Sequence, residues 1–194
     1  MDSSDNKPTT TAATWHYGAL AIALHWIIAA LIIGLVGLGW YMLSVEKQAG
    51  ARALFDLHKS LGLTVFGLIV LRILWRATHP PEGLPVSVPV WQAKISTLIH
   101  WALYACMIIM PVTGYLGAAH QKAAPKFFGL NTPAWATPNR ALAEQFFTVH
   151  SITVWVLVAL ISLHALAGLK HLLIDKDRVF QRMWFNRAAN PGQH

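Results

Sequence analysis

Four long apolar stretches dominate the pattern of hydrophobic and polar positions along this chain. They cover residues 18–43, 57–75, 95–119 and 146–169. A helix needs about 20 apolar residues to cross the hydrocarbon core of a bilayer, and each stretch reaches or approaches that length. The second is the shortest, and it has Lys59 and Arg72 near its ends, where long basic side chains can extend to water. The pattern predicts an all-α integral membrane protein, a bundle of four transmembrane helices.

Polar segments connect and flank these stretches. The connections at residues 44–56, 76–94 and 119–145 are predicted to be loops, and the second and third are rich in proline. Residues 1–13 are predicted to form a disordered tail, and residues 14–174 the four-helix domain. Residues 175–194 mix basic and apolar side chains, which predicts a tail that lies either at the membrane interface or in water.

The composition agrees with a membrane protein and argues against nucleic-acid binding. Hydrophobic residues make up 55% of the chain and charged residues 12%, whereas soluble domains carry about 25% charged residues. The net charge of +7 comes from cations that lie beside the apolar stretches. Cations in those positions anchor helices and meet anionic lipid, so we expect lipid and not nucleic acid as the partner.

The distribution of Lys and Arg predicts the orientation in the membrane. Four spans place both termini on one side. That side carries Lys7, Arg72, Arg76, Lys94, Lys170, Lys176, Arg178, Arg182 and Arg187, and the other carries Lys47, Arg52, Lys59, Lys122, Lys126 and Arg140. Loops rich in Lys and Arg tend to stay in the cytoplasm. The terminal side has nine Lys and Arg residues and the other side has six, which predicts that both termini are cytoplasmic.

Histidines inside the apolar stretches carry the candidate chemistry, because ionisable residues in a bilayer are costly and usually functional. His25 and His164 both lie roughly 10 Å inside the terminal side of the bundle, by their positions in the first and fourth stretches. His58 and His150 share the opposite layer. His150 and His164 are 14 residues apart, which is about four helical turns, so they lie on one helix face. This arrangement suits two bis-histidine haems stacked across the bundle.

Other residues leave alternatives open at this point. His100 shares the terminal-side layer, so it is a candidate ligand in place of His25 or His164, a partner for a haem propionate, or part of a quinone site. His171 is expected at the interface or beside a propionate. Small residues would admit a flat macrocycle or simply aid helix packing: Gly34, Gly37, Gly39, Gly62, Gly67, Gly114, Gly117 and Gly168. The remaining histidines are predicted to be solvated: His16, His79, His120 and His194.

The single cysteine limits how haem can be attached. Cys106 lies in an apolar stretch, and the Cys-x-x-Cys-His pattern of covalent haem attachment is missing from the sequence. Any haem is therefore held by ligation and packing. Cys106 itself is interpreted as a small buried hydrophobe.

Short motifs in a fixed order resemble the bacterial cytochrome b561 family over about residues 14–183. They are Leu24-His25-Trp26, Leu57-His58-Lys59, Val70-Leu71-Arg72, His100, Met110-Pro111-Val112-Thr113-Gly114, His150, His164 and His171. Each motif is short, and the specificity of the resemblance comes from their order and spacing across all four stretches.

The resemblance implies a four-helix cytochrome of the bacterial inner membrane with two b-type haems. It implies that His25 and His164 hold the cytoplasmic-side haem, that His58 and His150 hold the periplasmic-side haem, and that His100 is not an axial ligand. Members of the family transfer single electrons between the periplasmic side and a membrane quinone. Some oxidise superoxide and reduce ubiquinone, which makes superoxide a candidate periplasmic donor here.

Basic residues beside the histidines have two interpretations. Lys59 would contact a haem propionate or attract an anionic donor on the outer side, and Arg72 and Arg76 would do likewise on the inner side. Alternatively, these side chains anchor the helices by extending to the membrane surface.

Two other functions remain open from the sequence. A haem-binding membrane anchor of a hydrogenase or dehydrogenase would have a similar design, and it would require a soluble partner protein. A histidine-lined transporter would bind no haem. The absence of Asp and Glu from the first, third and fourth apolar stretches argues against transport of protons or metal ions.

Overall fold

Four long helices form the molecule in the computed structural model, which describes residues 17–80, 88–177 and 179–184. Helix α1 spans Ala19–Ser44, α2 spans Ala51–Thr78, α3 spans Val90–Ala119 and α4 spans Arg140–Lys170. All four are long and apolar enough to cross a membrane. The predicted all-α, four-span architecture is therefore confirmed.

The helices extend beyond the apolar stretches that predicted them. Helix α2 begins at Ala51, six residues before the expected start, because the intervening residues include good helix formers such as Ala and Leu. Helix α4 begins at Arg140, where the side chain of Asn139 accepts a hydrogen bond from the amide of Leu142 at 3.1 Å. Hydrophobicity marks the part of a helix that contacts lipid, whereas capping residues mark its ends.

A short hairpin interrupts the connection between α3 and α4, which was predicted to be a plain loop. Strand β1 (Lys126–Phe127) pairs antiparallel with β2 (Leu130–Asn131). The two turn residues, Phe128 and Gly129, have positive φ values of 46° and 87°. Two left-handed residues in succession are what a tight two-residue hairpin turn requires.

The carboxyl end of α4 continues into a compact segment. A π-helical turn covers His171–Asp175, and a 3-10 turn covers Phe180–Met183. Arg182 in this turn is only 5% exposed, so this part of the predicted tail packs onto the protein and is not a solvated tail. The amino-terminal tail predicted at residues 1–13 lies outside the described residues, and the domain boundary at residue 174 stays a prediction.

The apolar core lies midway along the bundle. Close backbone packing joins α1 to α2, α2 to α3 and α3 to α4. The core residues at these contacts are Leu24, Ile28, Ile32, Val65, Ile69, Leu103, Cys106 and Leu157. Many outward side chains are large and apolar, as expected for helices whose solvent is lipid, and Ile33, Leu98 and Ile152 are examples with at least 60% exposure.

Candidate functional site

Two pairs of imidazole rings face each other across the bundle. The ring centres of His25 and His164 are 6.2 Å apart, and those of His58 and His150 are 6.3 Å apart. The ring planes are inclined by 69° and 72°. The first pair, called the lower pair, joins α1 to α4, and the second, the upper pair, joins α2 to α4. The four histidines predicted as ligands are thus brought together in the two predicted combinations.

The spacing of both pairs fits an iron atom between the rings. A metal–imidazole nitrogen bond is about 2 Å long, so two rings on opposite sides of one metal have centres roughly 6 Å apart. Among the described parts of the four long helices, α4 packs closely against α3, and it makes at most marginal backbone contact with α1 or α2. The paired histidines therefore lie on helices that do not pack closely against each other.

The orientation of His150 is fixed by the backbone of α3. Its Nδ1 lies 2.8 Å from the carbonyl oxygen of Met110. As the donor in this bond, Nδ1 carries the proton and Nε2 is left with the lone pair that a metal needs. Gly114 faces the same ring, and a Cβ at that position would lie 3.1 Å from Nδ1 and Cε1. Only glycine leaves the ring its full space there.

His58 has a different environment. Its Nδ1 is buried and has no hydrogen-bond partner among the described residues. Gly39 on α1 lies against the ring, where a Cβ would be 3.4 Å from Cε1. A buried imidazole nitrogen without a hydrogen-bond partner costs folding free energy. A role as a metal ligand is a common reason for a protein to keep such a histidine.

The hairpin docks onto α2 at the level of His58. Ser60 is only 1% exposed, and its hydroxyl accepts a hydrogen bond from the amide of Phe128 at 2.9 Å. The same hydroxyl donates to the carbonyl of Asp56 at 2.8 Å. Ser60 was not identified from the sequence, since one serine in an apolar stretch carries no signal about a partner 68 residues away.

The lower pair lies beside a cleft lined by polar and aromatic residues. The guanidinium of Arg72 donates to the carbonyl of Ala21 at 2.8 Å, one helical turn before His25. Arg72 therefore ties α2 to α1 instead of extending to the membrane surface. The lining of the cleft consists of Tyr17, Ala21, Arg72, Trp75, Arg76, His79 and Tyr104.

His100 is close to the lower pair but differs from it in geometry. Its ring centre is 5.1 Å from that of His164, which is tighter than the two cross-bundle pairs. Its Nδ1 lies 2.7 Å from the carbonyl oxygen of Ser96. Because α3 and α4 pack closely, the space between these two rings is narrower than a ligated iron requires.

Comparison with known protein families decides the class of this membrane bundle. Residues 16–186 match the model of the prokaryotic cytochrome b561 family. The chain belongs to the prokaryotic cytochrome b561 family. It is 32% identical over 179 residues to cytochrome b561 homolog 2 of Escherichia coli strain K12, covering 91% of this chain and 95% of that protein. It is 28% identical over 173 residues to the probable superoxide oxidase CybB of Yersinia pestis, covering 86% of this chain and 94% of that protein.

Membership of the cytochrome b561 family confirms the general interpretation of the sequence. The protein is a membrane electron-transfer cytochrome that binds b-type haem. The chemistry of the two imidazole pairs fits that cofactor, because neutral imidazole is a good ligand for iron and the interior of a helical bundle excludes water.

The basic residues near the histidines have protein contacts, and the propionate and donor roles predicted for them stay predictions. The ammonium of Lys59 forms an ion pair with Asp56 at 2.6 Å. Arg76 lies over the ring of Tyr104, 6.0 Å from its centre. His171 was predicted at the interface or beside a propionate, which stays a prediction, and its Nδ1 contacts the carboxylate of Asp177 at 2.6 Å.

Two of the loop histidines have protein contacts. His79 is exposed and stacks on Trp75, with ring centres 3.9 Å apart. The prediction that His120 is solvated is wrong, because its side chain is partly buried and its Nδ1 lies 2.8 Å from the carbonyl of Leu116. The contact of His79 follows from α2, which extends to Thr78, beyond its apolar stretch, whereas His120 directly follows the last residue of α3. His16 and His194 lie outside the described residues.

Proposed function

We propose that this cytochrome carries electrons across the membrane through two b-type haems, one held by His25 and His164 and the other by His58 and His150. The observation that carries the proposal is the equal spacing of the two ring pairs, 6.2 Å and 6.3 Å, on opposite sides of the apolar core. Haem held by these histidines would supply a one-electron couple, and two imidazole ligands for each iron would favour electron transfer over dioxygen binding.

The protein's own groups orient the ligands and separate the two centres. The carbonyl of Met110 holds the ring of His150, and Gly114 leaves space for it. His150 and His164 are about 21 Å apart along α4, and the apolar core between them keeps water away from both. We propose that Arg72, next to the lower pair, provides a fixed positive charge for a propionate of the lower haem.

The proposal also includes the orientation of the protein in the membrane and the acceptor of the electron. Both termini lie in the cytoplasm, so the upper pair faces the periplasm and the lower pair the cytoplasm of a bacterial inner membrane. A membrane quinone, with ubiquinone as the first candidate, receives the electron. The excess of Lys and Arg on the terminal side supports this orientation.

Positive charge near the hairpin favours an anionic electron donor. Arg52, Lys59 and Lys126 all lie near the carboxylate of Asp56, so three cations surround one anion. A local excess of positive charge raises the rate at which small anions arrive. Superoxide is such an anion, and the relative from Yersinia pestis carries the name of a probable superoxide oxidase. We propose superoxide as the periplasmic donor.

Haem content and difference spectra test the two-haem scheme. The protein, purified in detergent, is expected to show b-type bands in its dithionite-reduced minus oxidised spectrum and two haems per chain. A soluble ubiquinone analogue should reoxidise the reduced protein. One haem per chain would contradict the four-ligand scheme, and failure of the quinone analogue would remove the acceptor from the proposal.

Reduction by enzymatically generated superoxide tests the donor separately. The variant Arg52→Gln/Lys126→Gln should reduce haem several-fold more slowly than the parent at low ionic strength, and the difference should shrink as salt screens the charges. Lys122→Gln is the control, since this exposed residue is on the same side of the protein. A rate that neither depends on salt nor changes in the double variant would exclude electrostatic attraction of the donor.

A further inference from the structure

The chain folds back after α4 and bridges the two helices that carry the lower pair. Residues 179–184 form this segment, called here the C-terminal strap. The indole N–H of Trp26 donates to the carbonyl of Met183 at 2.7 Å, and the amide of Tyr17 donates to the carbonyl of Arg182 at 3.4 Å. Trp26 is next to His25 in sequence. The centres of their two rings are 5.3 Å apart, in an edge-to-face arrangement. The strap therefore reaches α1 beside a proposed ligand.

Aromatic contacts extend the bridge to α4. The ring of Trp184 lies 5.7 Å from that of Trp26 and 5.7 Å from that of Phe180. Phe180 packs against Gly168, where a Cβ would be 3.5 Å from its ring. Gly168 is one helical turn after His164, so the strap contacts both helices near the lower pair.

A carboxylate at the start of the strap holds it in place. One oxygen of Asp177 contacts Nδ1 of His171 at 2.6 Å, and the other accepts the amide of Val179 at 3.1 Å. This links the π-helical turn that follows α4 to the strap. Arg182 is 5% exposed and lies over the ring of Tyr17, 5.1 Å from its centre. Polar contacts at both ends and a buried middle indicate a docked element.

The strap connects α1 and α4 where these two helices do not pack directly against each other. These two helices are not among the closely packed pairs in the described part of the chain, so direct packing does not fix the distance between His25 and His164. The strap contacts both helices and is the element that spans this gap on the terminal side. An element placed there holds the orientation of Trp26 through the bond to Met183.

We propose that Trp26 is a positioning residue for His25, and that the docked C-terminal strap sets the reduction potential of the lower haem. This proposal rests on the proposed function, because it assumes haem at the lower pair. When the strap is docked, Trp26 is fixed by Met183, and its ring restricts rotation of the His25 imidazole. The strap also keeps water from the terminal-side edge of the pair.

The direction of the effect follows from charge and solvation. Oxidised bis-histidine haem carries one more positive charge than the reduced form, and water stabilises the more charged form. Opening the strap therefore lowers the potential of the lower haem. Loss of an outer contact to a metal ligand typically changes affinity or activity about 10- to 100-fold. We expect about a tenfold change in the electron equilibrium between the two haems, which corresponds to about 59 mV for one electron.

Two full-length variants open the strap from different ends. Trp26→Phe keeps an aromatic ring but removes the donor to Met183. Asp177→Asn keeps the oxygen that accepts the amide of Val179 but removes the charge that faces His171. Trp101→Phe is the matched control, because this tryptophan is 70% exposed on α3. Potentiometric titration reports both haem potentials, and the upper haem serves as an internal reference.

Limited trypsin digestion shows whether the strap has opened, since Arg182 is buried when it is docked. The proposal predicts that both variants are cleaved after Arg182 faster than the parent, and that only the lower potential falls. It is overturned if cleavage accelerates while the lower potential stays unchanged, if both potentials fall equally, or if Trp26→Phe behaves like the control. A protein that lacks a second haem altogether would instead refute the proposed function.

Discussion

The hydrogen bond between the hairpin and α2 gives a sharply defined prediction for Ser60→Ala. The substitution removes one hydroxyl from a residue that is 1% exposed. The amide of Phe128 then loses its acceptor at 2.9 Å, and the carbonyl of Asp56 loses a donor at 2.8 Å. The carbonyl remains bonded within its helix, so the cost falls mainly on the Phe128 amide.

The size of the effect follows from how well water can replace the lost partner. A buried donor without a partner costs about 1–3 kcal/mol. Phe128 is 56% exposed, so water partly compensates and the lower end of this range applies. About 1 kcal/mol corresponds to roughly a fivefold increase in the undocked fraction of the hairpin. Because each strand has only two residues, few other bonds hold the hairpin.

Hydrogen exchange measures this docking equilibrium directly. In Ser60→Ala, amides in the peptide that contains Phe128 should exchange about fivefold faster. Ser162→Ala is the control, because the Ser162 hydroxyl donates to a carbonyl of its own helix, that of Val158 at 2.9 Å, on an exposed face. Exchange in the hairpin that is equal in both variants would refute the role assigned to Ser60.

Three other substitutions or labels test the packing around the histidines. Gly114→Ala should displace the ring of His150, at a cost of about 1–3 kcal/mol, and weaken retention of the upper haem. Gly67→Ala is the control, because a Cβ at that position meets open space, and this variant should retain both haems. Arg72→Gln should lower the free energy of unfolding by about 1–3 kcal/mol in denaturant titrations, through loss of its bond to α1. Cys106, at 7% exposure, should react with a maleimide only after unfolding.

The sequence predicted the features that repeat with helical geometry. Apolar length identified the four spans, because the thickness of the bilayer sets the length of a crossing helix. The separation of 14 residues between His150 and His164 placed them on one face of α4, and it thereby predicted two layers of histidines. Both inferences depend on distances along one helix, which a sequence contains.

Contacts between distant segments were not predictable in the same way. The hairpin docks through Ser60, and the C-terminal strap docks through Trp26 and Asp177. Each contact joins an ordinary residue to a backbone group or to a side chain that only folding brings near. A single sequence carries no signal for such pairs.

The basic residues illustrate the same limit. Lys59 and Arg72 were predicted to contact a haem propionate, to attract an anionic donor or to anchor the helices at the membrane surface, and the first two roles stay predictions. Their contacts in the fold are with the carboxylate of Asp56 and the carbonyl of Ala21. A charged side chain takes the partner that folding places within reach, and sequence alone does not identify that partner.

The most direct test of the two-haem scheme compares haem content in His25→Ala and His100→Ala. Both residues lie near His164, but only the ring of His25 has the spacing of a shared iron site. We expect one haem per chain in His25→Ala, with the upper haem unchanged, and two haems per chain in His100→Ala. Two haems in His25→Ala and one in His100→Ala would contradict the scheme and identify His100 as the ligand.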